Sequence, residues 1–285
     1  MPSIIKFDNI LADITYLKEL ASTYQLDFAS LPQQRQLYTE QTRQRVGQYA
    51  LISDEGGVGL VDISDPKLLP LRVDFAADAL IYRKDKGGGK NEAIAKAIGI
   101  KKNAQLNVID ATAGLGTDSF IMASVGANVT MMERTAIVSA LLHDGLIRGG
   151  KEPNCAEIVA RMRLASGDAR EQLQQRVAEQ DTNVDIVYLD PMFPHKKKSA
   201  AVKKPMKMFQ TLIGSDLDAD DLLTPALSLA QQRVVVKRPN YAPFLQDHTP
   251  TMQIKGKKHR FDVYLTHHSL RTGHTKSADE TQTPD

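Results

Sequence analysis

The spacing of hydrophobic residues is regular from residue 105 onward and less regular near the start of the chain. From residue 105 onward, short runs rich in β-branched residues alternate with longer stretches whose apolar residues recur at helical spacing. We predict strands at residues 106–110, 128–133, 161–165, 185–190 and 233–237. We predict helices at residues 117–124, 136–146, 168–179 and 218–232. This alternation is typical of parallel βαβ units in a doubly wound α/β sheet.

The C-terminal part departs from that alternation. Residues 252–255 and 260–265 are two short β-rich runs around a tight basic turn, which predicts an antiparallel hairpin at the end of the sheet. Residues 269–285 are polar and lack an apolar period, so we expect a disordered tail there. The main domain is therefore expected to span residues 69–268.

The N-terminal part has a shorter and less regular pattern. Residues 1–68 mix short apolar runs with acids and a glycine-rich turn at 53–59, which indicates a small α/β subdomain. A basic, glycine-containing segment at 82–90 is predicted to be a loop. After it, the apolar spacing of residues 93–98 predicts a short helix that stops at Gly99.

Composition narrows the class of protein. The 285 residues are 42% hydrophobic and 25% charged, which is typical of globular proteins. No uncharged apolar run reaches the roughly 18 residues of a membrane span, and the first residues lack a secretory pattern, so we expect a cytoplasmic protein. The single cysteine, Cys155, excludes an internal disulfide and a multi-cysteine zinc site, and we expect no metal. A net charge of +2 argues against a protein that coats nucleic acid.

Residues 110–118, Asp-Ala-Thr-Ala-Gly-Leu-Gly-Thr-Asp, link the first regular strand to its helix. Ligands of such sheets bind beyond the carboxyl ends of the strands, where glycines allow close backbone approach. Gly114 and Gly116 suit that role, although the third glycine of the dinucleotide fingerprint is missing. Glu133 ends the next strand 23 positions after Asp110, where an acid can reach ribose hydroxyls. Together these features favour an adenosine-containing cofactor, whereas a lone Gly-x-Gly is more often a tight turn.

Two further loops follow the third and fourth strands. Ser166, Gly167 and Asp168 are placed to meet the adenine edge of such a cofactor, or simply to cap the next helix. In Asp190-Pro191-Met192-Phe193-Pro194 the prolines fix the backbone. An acid and a rigid carbonyl can accept the hydrogens of an exocyclic amine while Phe193 stacks on the base. The alternative is a kinked loop with Phe193 in the core.

Three motifs together resemble those of the class I S-adenosylmethionine-dependent methyltransferases. They lie at residues 110–116, 132–134 and 188–196. The acid-proline-aromatic element is similar to the signature of enzymes that methylate exocyclic amines. Further matches, at residues 87–89, 203–204, 235–239 and 259–262, make the chain similar to a bacterial family of small-subunit ribosomal RNA methyltransferases. The resemblance covers about residues 70–266.

The resemblance implies a fold, a cofactor and a reaction. The fold would be a Rossmann-like, mostly parallel seven-stranded sheet, and the cofactor S-adenosylmethionine. The reaction would methylate the exocyclic N2 of a guanosine in 16S rRNA, free or in the small ribosomal subunit, as a step of ribosome biogenesis. Cofactor contacts carried over from the family fall on Thr117, Asp118, Glu133, Arg134, Ser166, Gly167 and Asp190. Asp110, Gly114, Gly116 and Asp168 complete the expected cofactor site.

The expected catalytic residues are Asp190, Pro191 and Phe193. A sulfonium methyl is already electrophilic, so the protein has mainly to align the nitrogen with sulfur and methyl. Asp190 would act as orienter and acceptor for the guanine amine. This chemistry requires neither a thiol nor a metal.

Basic residues cluster around these loops. The expected RNA contacts are Lys196, Lys197, Lys198, Lys203, Lys204, Lys237, Arg238, Lys257, Lys258 and Arg260. Such a patch suits phosphates, although a lysine run is also typical of a solvated loop. Two other functions stay open at this point. One is a DNA adenine-N6 or cytosine-N4 methyltransferase, and the other is a non-catalytic nucleotide- and RNA-binding module.

Overall fold

A computed structural model describes most of the chain. The described residues are 3–7, 14–31, 33–86, 92–101, 105–193, 204–213, 219–257 and 259–266. The strands are β1 (Ser3–Phe7), β2 (Asp27–Leu31), β3 (Tyr49–Asp54), β4 (Gly57–Asp62), β5 (Asn107–Asp110), β6 (Asn128–Glu133), β7 (Met162–Ser166), β8 (Ile186–Leu189), β9 (Arg233–Pro239), β10 (Met252–Lys255) and β11 (His259–Leu265).

Helices cover the strands on both sides of the main sheet. They are α1 (Ile14–Thr23), α2 (Glu40–Val46), α3 (Asp78–Lys86), α4 (Ala93–Ile98), α5 (Thr117–Ser124), α6 (Ala136–Gly149), α7 (Ala156–Val159), α8 (Ala169–Ala178), α9 (Lys204–Ile213) and α10 (Leu223–Leu229). Short 3-10 helices occupy Gln34–Tyr38, Ala219–Leu222 and Leu245–Asp247.

The main sheet has seven strands in the order β10-β11-β9-β8-β5-β6-β7. Strands β7, β6, β5, β8 and β9 are parallel, whereas β11 runs antiparallel to both β9 and β10. All four residues of β8 are buried, as fits a parallel strand covered on both faces. The doubly wound α/β sheet and its antiparallel C-terminal hairpin are therefore confirmed.

A second, four-stranded sheet forms near the start of the chain, in the order β2-β1-β3-β4. Strand β3 alternates between two cores, because Ala50 and Ile52 pack with Leu37 and Val61 in a small cluster of their own. Leu51, on the opposite face, joins the large core of the seven-stranded sheet. The two sheets thus share a buried boundary, and the division of the chain at residue 68 stays a prediction.

Most strands and helices of the main domain lie where the periodicity predicts them, but helices α7 and α9 have no predicted counterpart and two other segments differ from the prediction. Residues 82–86, expected in a loop, belong to helix α3, because Leu80 and Ile81 pack against the large core. The helix expected over 218–232 is shorter, since α10 ends at Leu229 and the chain then enters β9. Residues 87–90, at the end of the predicted basic loop, and the predicted tail at residues 269–285 lie outside the described part of the chain.

Strands β5, β6, β7 and β8 end together at one edge of the sheet. The register pairs Asp110 with Tyr188 and Glu133 with Ser166, so the loops that follow these strands are neighbours. This is the edge where doubly wound sheets bind ligands. In the described residues, no helix has the length and apolar character to cross a membrane.

Candidate active site

A cavity opens at this edge of the sheet. Its polar wall contains Thr112, Glu133, Arg134, Asp168, Arg170 and Asp190. Its apolar wall contains Ala111, Met132, Met192, Phe209, Ile213 and Leu222. The apolar residues come from distant parts of the chain: Ala111 and Met132 lie at the ends of β5 and β6, whereas Phe209 and Ile213 lie on α9 and Leu222 ends a 3-10 helix. An apolar wall beside a few fixed polar groups is typical of a small-molecule site.

The loop that follows β5 is held by the buried carboxyl of Asp110. Its Oδ2 accepts a hydrogen bond from Ser119 Oγ at 2.5 Å, and its Oδ1 accepts one from Thr112 N at 3.2 Å. Burial raises the pKa of Asp110 to about 7, assisted by the negative charges of Asp118 and Asp190 and opposed by the Ser119 hydrogen bond. Asp110 therefore fixes the start of the loop at residues 110–118 through its hydrogen bonds to Thr112 and Ser119.

Glu133 fixes the geometry of the glycine loop. Its Oε2 accepts a hydrogen bond from Gly114 N at 3.2 Å, and its Oε1 accepts one from Thr135 N at 2.7 Å. Gly114 has φ of +53° and a Cβ built there would meet nothing closer than Phe209 Cζ at 3.9 Å. The loop thus presents bare backbone to the cavity, beside a carboxylate whose oxygens can also accept from hydroxyl groups.

The loop after β7 completes that side. Gly167 N donates to Glu133 O at 2.9 Å, which ties this loop to the end of β6. Asp168 lines the cavity and also caps α8, because its Oδ1 accepts from Glu171 N at 3.1 Å. The binding and capping interpretations of Asp168 are therefore compatible. Ser166 and Thr117 are exposed beside the cavity rather than part of its lining.

The loop after β8 is fastened to the loop after β5. Asp190 N donates to Thr112 Oγ1 at 2.6 Å. Pro191 is buried, and Asp190 and Met192 both line the cavity. Phe193 is half-buried with the guanidinium of Arg238 over its ring, 4.7 Å from the centroid. Tyr241 meets the same ring edge to face, with the centroids 6.1 Å apart.

Asp190 belongs to a connected network of charged and polar side chains. We call it the Lys237 network, and its members are Arg83, Glu92, Asp118, Tyr188, Asp190 and Lys237. Lys237 Nζ lies 2.7 Å from Asp118 Oδ2 and 2.7 Å from Asp190 Oδ2. Tyr188 Oη donates to Asp118 Oδ2 at 2.7 Å. The network links α3, α5, β8 and β9 to the carboxylate that faces the cavity.

With this geometry in place, known proteins provide the comparison. A family model described as "Putative SAM-dependent methyltransferase" matches residues 31–266. The chain belongs to this family. Two curated relatives are both named "Ribosomal RNA small subunit methyltransferase J". The one from Alteromonas mediterranea is 55% identical over 210 residues, which are 74% of this chain and 80% of the relative. The one from Aeromonas hydrophila is 47% identical over 240 residues, 84% of this chain and 95% of the relative.

A solved structure agrees with this membership. The crystal structure of a SAM-dependent methyltransferase from Neisseria gonorrhoeae is 32% identical to this chain, with a TM-score of 0.69. The match covers 98% of this chain and 100% of that one, so it includes the N-terminal sheet. The seven-stranded Rossmann-like fold expected from the motifs is therefore confirmed.

S-adenosylmethionine, the cofactor of this methyltransferase family, fits the cavity on three observations. The apolar wall suits an adenine ring, and the Glu133 carboxylate suits a ribose diol. The bare backbone at Gly114 leaves room for the cofactor to approach the start of α5, whose first N–H groups have no partner within the helix. The sequence predicts four residues of the polar wall, which are Glu133, Arg134, Asp168 and Asp190. It does not predict Thr112, Arg170 or any residue of the apolar wall as a site residue.

The basic residues expected to bind RNA fall into three groups. Lys204 is 76% exposed, although it pairs with Asp65, and Lys257 is also exposed. Lys237, Arg238 and Arg260 differ from the prediction because they are enclosed and used within the protein. Arg260 pairs with Asp262 and donates to the carbonyls of Pro239 and Ala242. We therefore leave these three out of the proposed RNA contact surface. Lys196, Lys197, Lys198, Lys203 and Lys258 lie outside the described residues.

Proposed function

We propose that this methyltransferase transfers a methyl group from S-adenosylmethionine to the exocyclic N2 of a guanosine in 16S rRNA. The relatives named as small-subunit rRNA methyltransferases support the rRNA substrate, since this chain spans 80% to 95% of their length. The observation that carries the amine as acceptor is the Asp190 carboxylate, which lines the cofactor cavity at the start of a proline-fixed loop. Membership in the family disfavours the non-catalytic binding module.

The cofactor would lie across the ends of β5, β6 and β7. Glu133 would accept hydrogen bonds from the ribose hydroxyls, and Asp168 would meet the adenine edge beside Met132 and Leu222. The N–H groups at the start of α5 would bind the methionine carboxylate. Arg134, in the polar wall, and Thr117, exposed beside the cavity, remain proposed cofactor contacts, and Ser166 and Gly167 would shape the adenine side.

The target guanine would enter beside the loop after β8. When bound, S-adenosylmethionine supplies a methyl group on a positively charged sulfur, so the acceptor amine needs chiefly to be placed in line at about 3–3.5 Å. The N2 lone pair of guanine is delocalised into the ring. Asp190 and the carbonyl of Pro191 would accept its two N–H groups, which favours a pyramidal nitrogen. Phe193, held from one side by Arg238, would stack against the base.

Exposed lysines beside the cavity would bind the RNA backbone. Helix α9 contains no acidic residue and places Lys204 and Lys207 outside while Phe209 packs inside, against the cavity. Lys257 in the hairpin turn extends the same surface in our proposal, together with the lysines at 196–198, 203 and 258. Phosphate contacts of this kind give salt-dependent affinity, as expected for an RNA substrate.

The experiment offers the purified protein three substrates with labelled S-adenosylmethionine. They are free 16S rRNA, assembled small ribosomal subunits, and duplex DNA rich in adenine and cytosine. Nucleosides from each reaction are separated and identified by mass. We expect label in N2-methylguanosine from one or both rRNA substrates. Label only in methylated adenine or cytosine of DNA, or no transfer to any substrate, would overturn the proposal.

A further inference from the structure

The position of Lys237 raises a question that RNA binding does not answer. Lysine side chains that bind phosphates need to reach solvent, but only 22% of the Lys237 side chain is exposed. Its ammonium lies between two carboxylate oxygens, each 2.7 Å away. An ammonium has three N–H donors, and Lys237 uses two of them to bind the two carboxylates. Lys237 is therefore a fixed bridge between Asp118 and Asp190.

The two carboxylates of this bridge have different surroundings. Asp118 is 13% exposed and does not line the cavity, whereas Asp190 is 37% exposed and does. Asp118 is also held by Tyr188 Oη at 2.7 Å and by Arg83 Nη1 at 3.3 Å. Asp118 is therefore the anchored end of the bridge, and Asp190 is the end that reaches a ligand.

We propose that Lys237 is a positioning residue for methyl transfer, whose ammonium, anchored by Asp118, holds the Asp190 carboxylate aimed at the acceptor amine. This inference rests on the proposed function, because it gives Asp190 an amine to orient. In this proposal Lys237 acts inside the active site and does not contact RNA. Asp118 anchors Lys237 and does not contact the cofactor directly.

The electrostatics of the network agree with this geometry. Burial alone would lower the pKa of Lys237, but the charges of Asp190 and Asp118 outweigh burial and raise it above its usual value. Burial likewise opposes ionisation of Asp118, but Lys237 lowers the pKa of that carboxyl. Lys237 and Asp118 therefore remain charged near neutral pH. The ionisable groups that face the bridge are Arg83 on α3, Asp110 on β5, Asp118 on α5, Tyr188 on β8 and His259 on β11.

The bridge also sets the chemical role of Asp190. A carboxylate paired with an ammonium is a good hydrogen-bond acceptor and a weak base. The N2 lone pair would form the bond to the methyl carbon while the electrons of the carbon–sulfur bond go to sulfur. The N2 proton leaves to water after that bond has formed, because the methylated ammonium is strongly acidic. Asp190 thus orients the amine in our account, and no base has to remove a proton beforehand.

The test compares Lys237→Met with Lys237→Arg, after circular dichroism has shown that each variant is folded. For Lys237→Met we expect kcat to fall roughly 10- to 100-fold, the worth of one charged hydrogen bond. The KM for rRNA and the Kd for S-adenosylmethionine should change less than about twofold. The acidic limb of the kcat profile should move to higher pH, because Asp190 loses its cation. Lys237→Arg should restore most of kcat and return that limb toward its original position.

Two further variants keep the inference testable. If Lys237→Met does not fold, Asp118→Asn keeps the volume and weakens the anchor, so kcat should fall while the Kd for S-adenosylmethionine stays the same. Lys257→Met, on the exposed hairpin turn, should instead raise the KM for rRNA. A Lys237→Met enzyme with raised KM and normal kcat would overturn the positioning role and restore the phosphate contact. A wild-type protein that does not methylate rRNA would refute the proposed function instead.

Discussion

Two buried clusters of charge in this protein look alike in composition and differ in what they reach. In the first, which we call the junction cluster, Asp144 on α6 pairs with Arg148 Nε at 2.7 Å and accepts from Val58 N at 3.1 Å. Tyr16 Oη donates to its other oxygen at 3.3 Å. In the second, the Lys237 network, an equally enclosed acid and cation hold Asp190 at the cavity.

The difference shows what makes a buried charge functional. Asp144 is bonded to Val58 on β4, to Tyr16 on α1 and to Arg148 on its own helix α6, so the junction cluster joins the N-terminal part of the chain to α6. The Lys237 network has an open end, because Asp190 is also part of the cavity wall. Burial and pairing are thus common to both clusters, and access to a ligand distinguishes them. Changes in the network should affect turnover, and changes in the junction cluster should affect stability.

The largest effect should come from Asp190→Ala. Without an acceptor for the amine, kcat should fall by roughly 100- to 1000-fold, the usual cost of removing a preorganised polar group from a transition state. The midpoint of thermal unfolding should change little, because the carboxyl is partly exposed. Turnover and melting measured on the same preparation test this, with Glu55→Ala in the exposed β3–β4 turn as a control. A variant with near-normal kcat would contradict the role of Asp190.

Asp144→Asn should have the opposite profile. The substitution leaves Arg148 and the Val58 N–H beside a neutral group, so the free energy of unfolding should fall by about 2 kcal/mol, as for a weakened buried pair. The kcat of the folded protein should remain near that of the wild type. Chemical denaturation and turnover below the unfolding transition measure the two quantities. A large loss of kcat without loss of stability would erase the distinction between the clusters.

Glu133→Ala should weaken the binding of S-adenosylmethionine more than the binding of the rRNA substrate. The ribose would lose a hydrogen-bond acceptor, and the Gly114 and Thr135 N–H groups would lose theirs as well. We expect the Kd for S-adenosylmethionine to rise roughly 10- to 100-fold in calorimetry. The Kd of Glu133→Gln, which keeps one acceptor oxygen, should lie between those of the wild type and Glu133→Ala. An unchanged Kd in Glu133→Ala would remove Glu133 from the cofactor site.

The smallest effect should be the pH dependence contributed by Asp110. Because burial raises its pKa to about 7, the folded state keeps a proton that the unfolded state releases near pH 4, so this group's contribution to stability falls as pH rises from about 4 to 7. Asp110→Asn removes that titration. Between pH 5 and pH 8 the melting temperature of the wild type should therefore drop more than that of the variant, by several degrees. Equal drops would contradict a raised pKa.

The comparison also explains what the sequence could and could not predict. Elements with strong local signals were predicted closely: α5 starts after the turn at Gly116, and β6 ends at Glu133 as expected. Gly116 carries a backbone requirement, since φ is +73° and a Cβ would press on Leu142 at 3.0 Å. Such local rules act within a few residues and are readable in the chain.

Long-range packing accounts for the rest. Helices α3 and α9 were missed because their basic side chains suggest loops, although Ile81 and Phe209 pack inward. Lys237 was assigned to RNA because charge in a sequence is usually solvated. One signal could have placed it beside Asp190: Lys237 follows the buried run Val234–Val236 of β9, next to the end of β8 after which Asp190 lies. Adjacent carboxyl ends of parallel strands bring such residues together.

The most direct test of the central claim is the nucleoside content of 16S rRNA from cells that lack this protein. Digested 16S rRNA would be analysed by mass spectrometry, with mapping of each N2-methylguanosine. We predict that one such site loses its methyl group, that the wild-type gene restores it, and that Asp190→Ala does not. If every N2-methylguanosine of 16S rRNA persists at its wild-type level in the deletion strain, this protein does not carry out the proposed reaction.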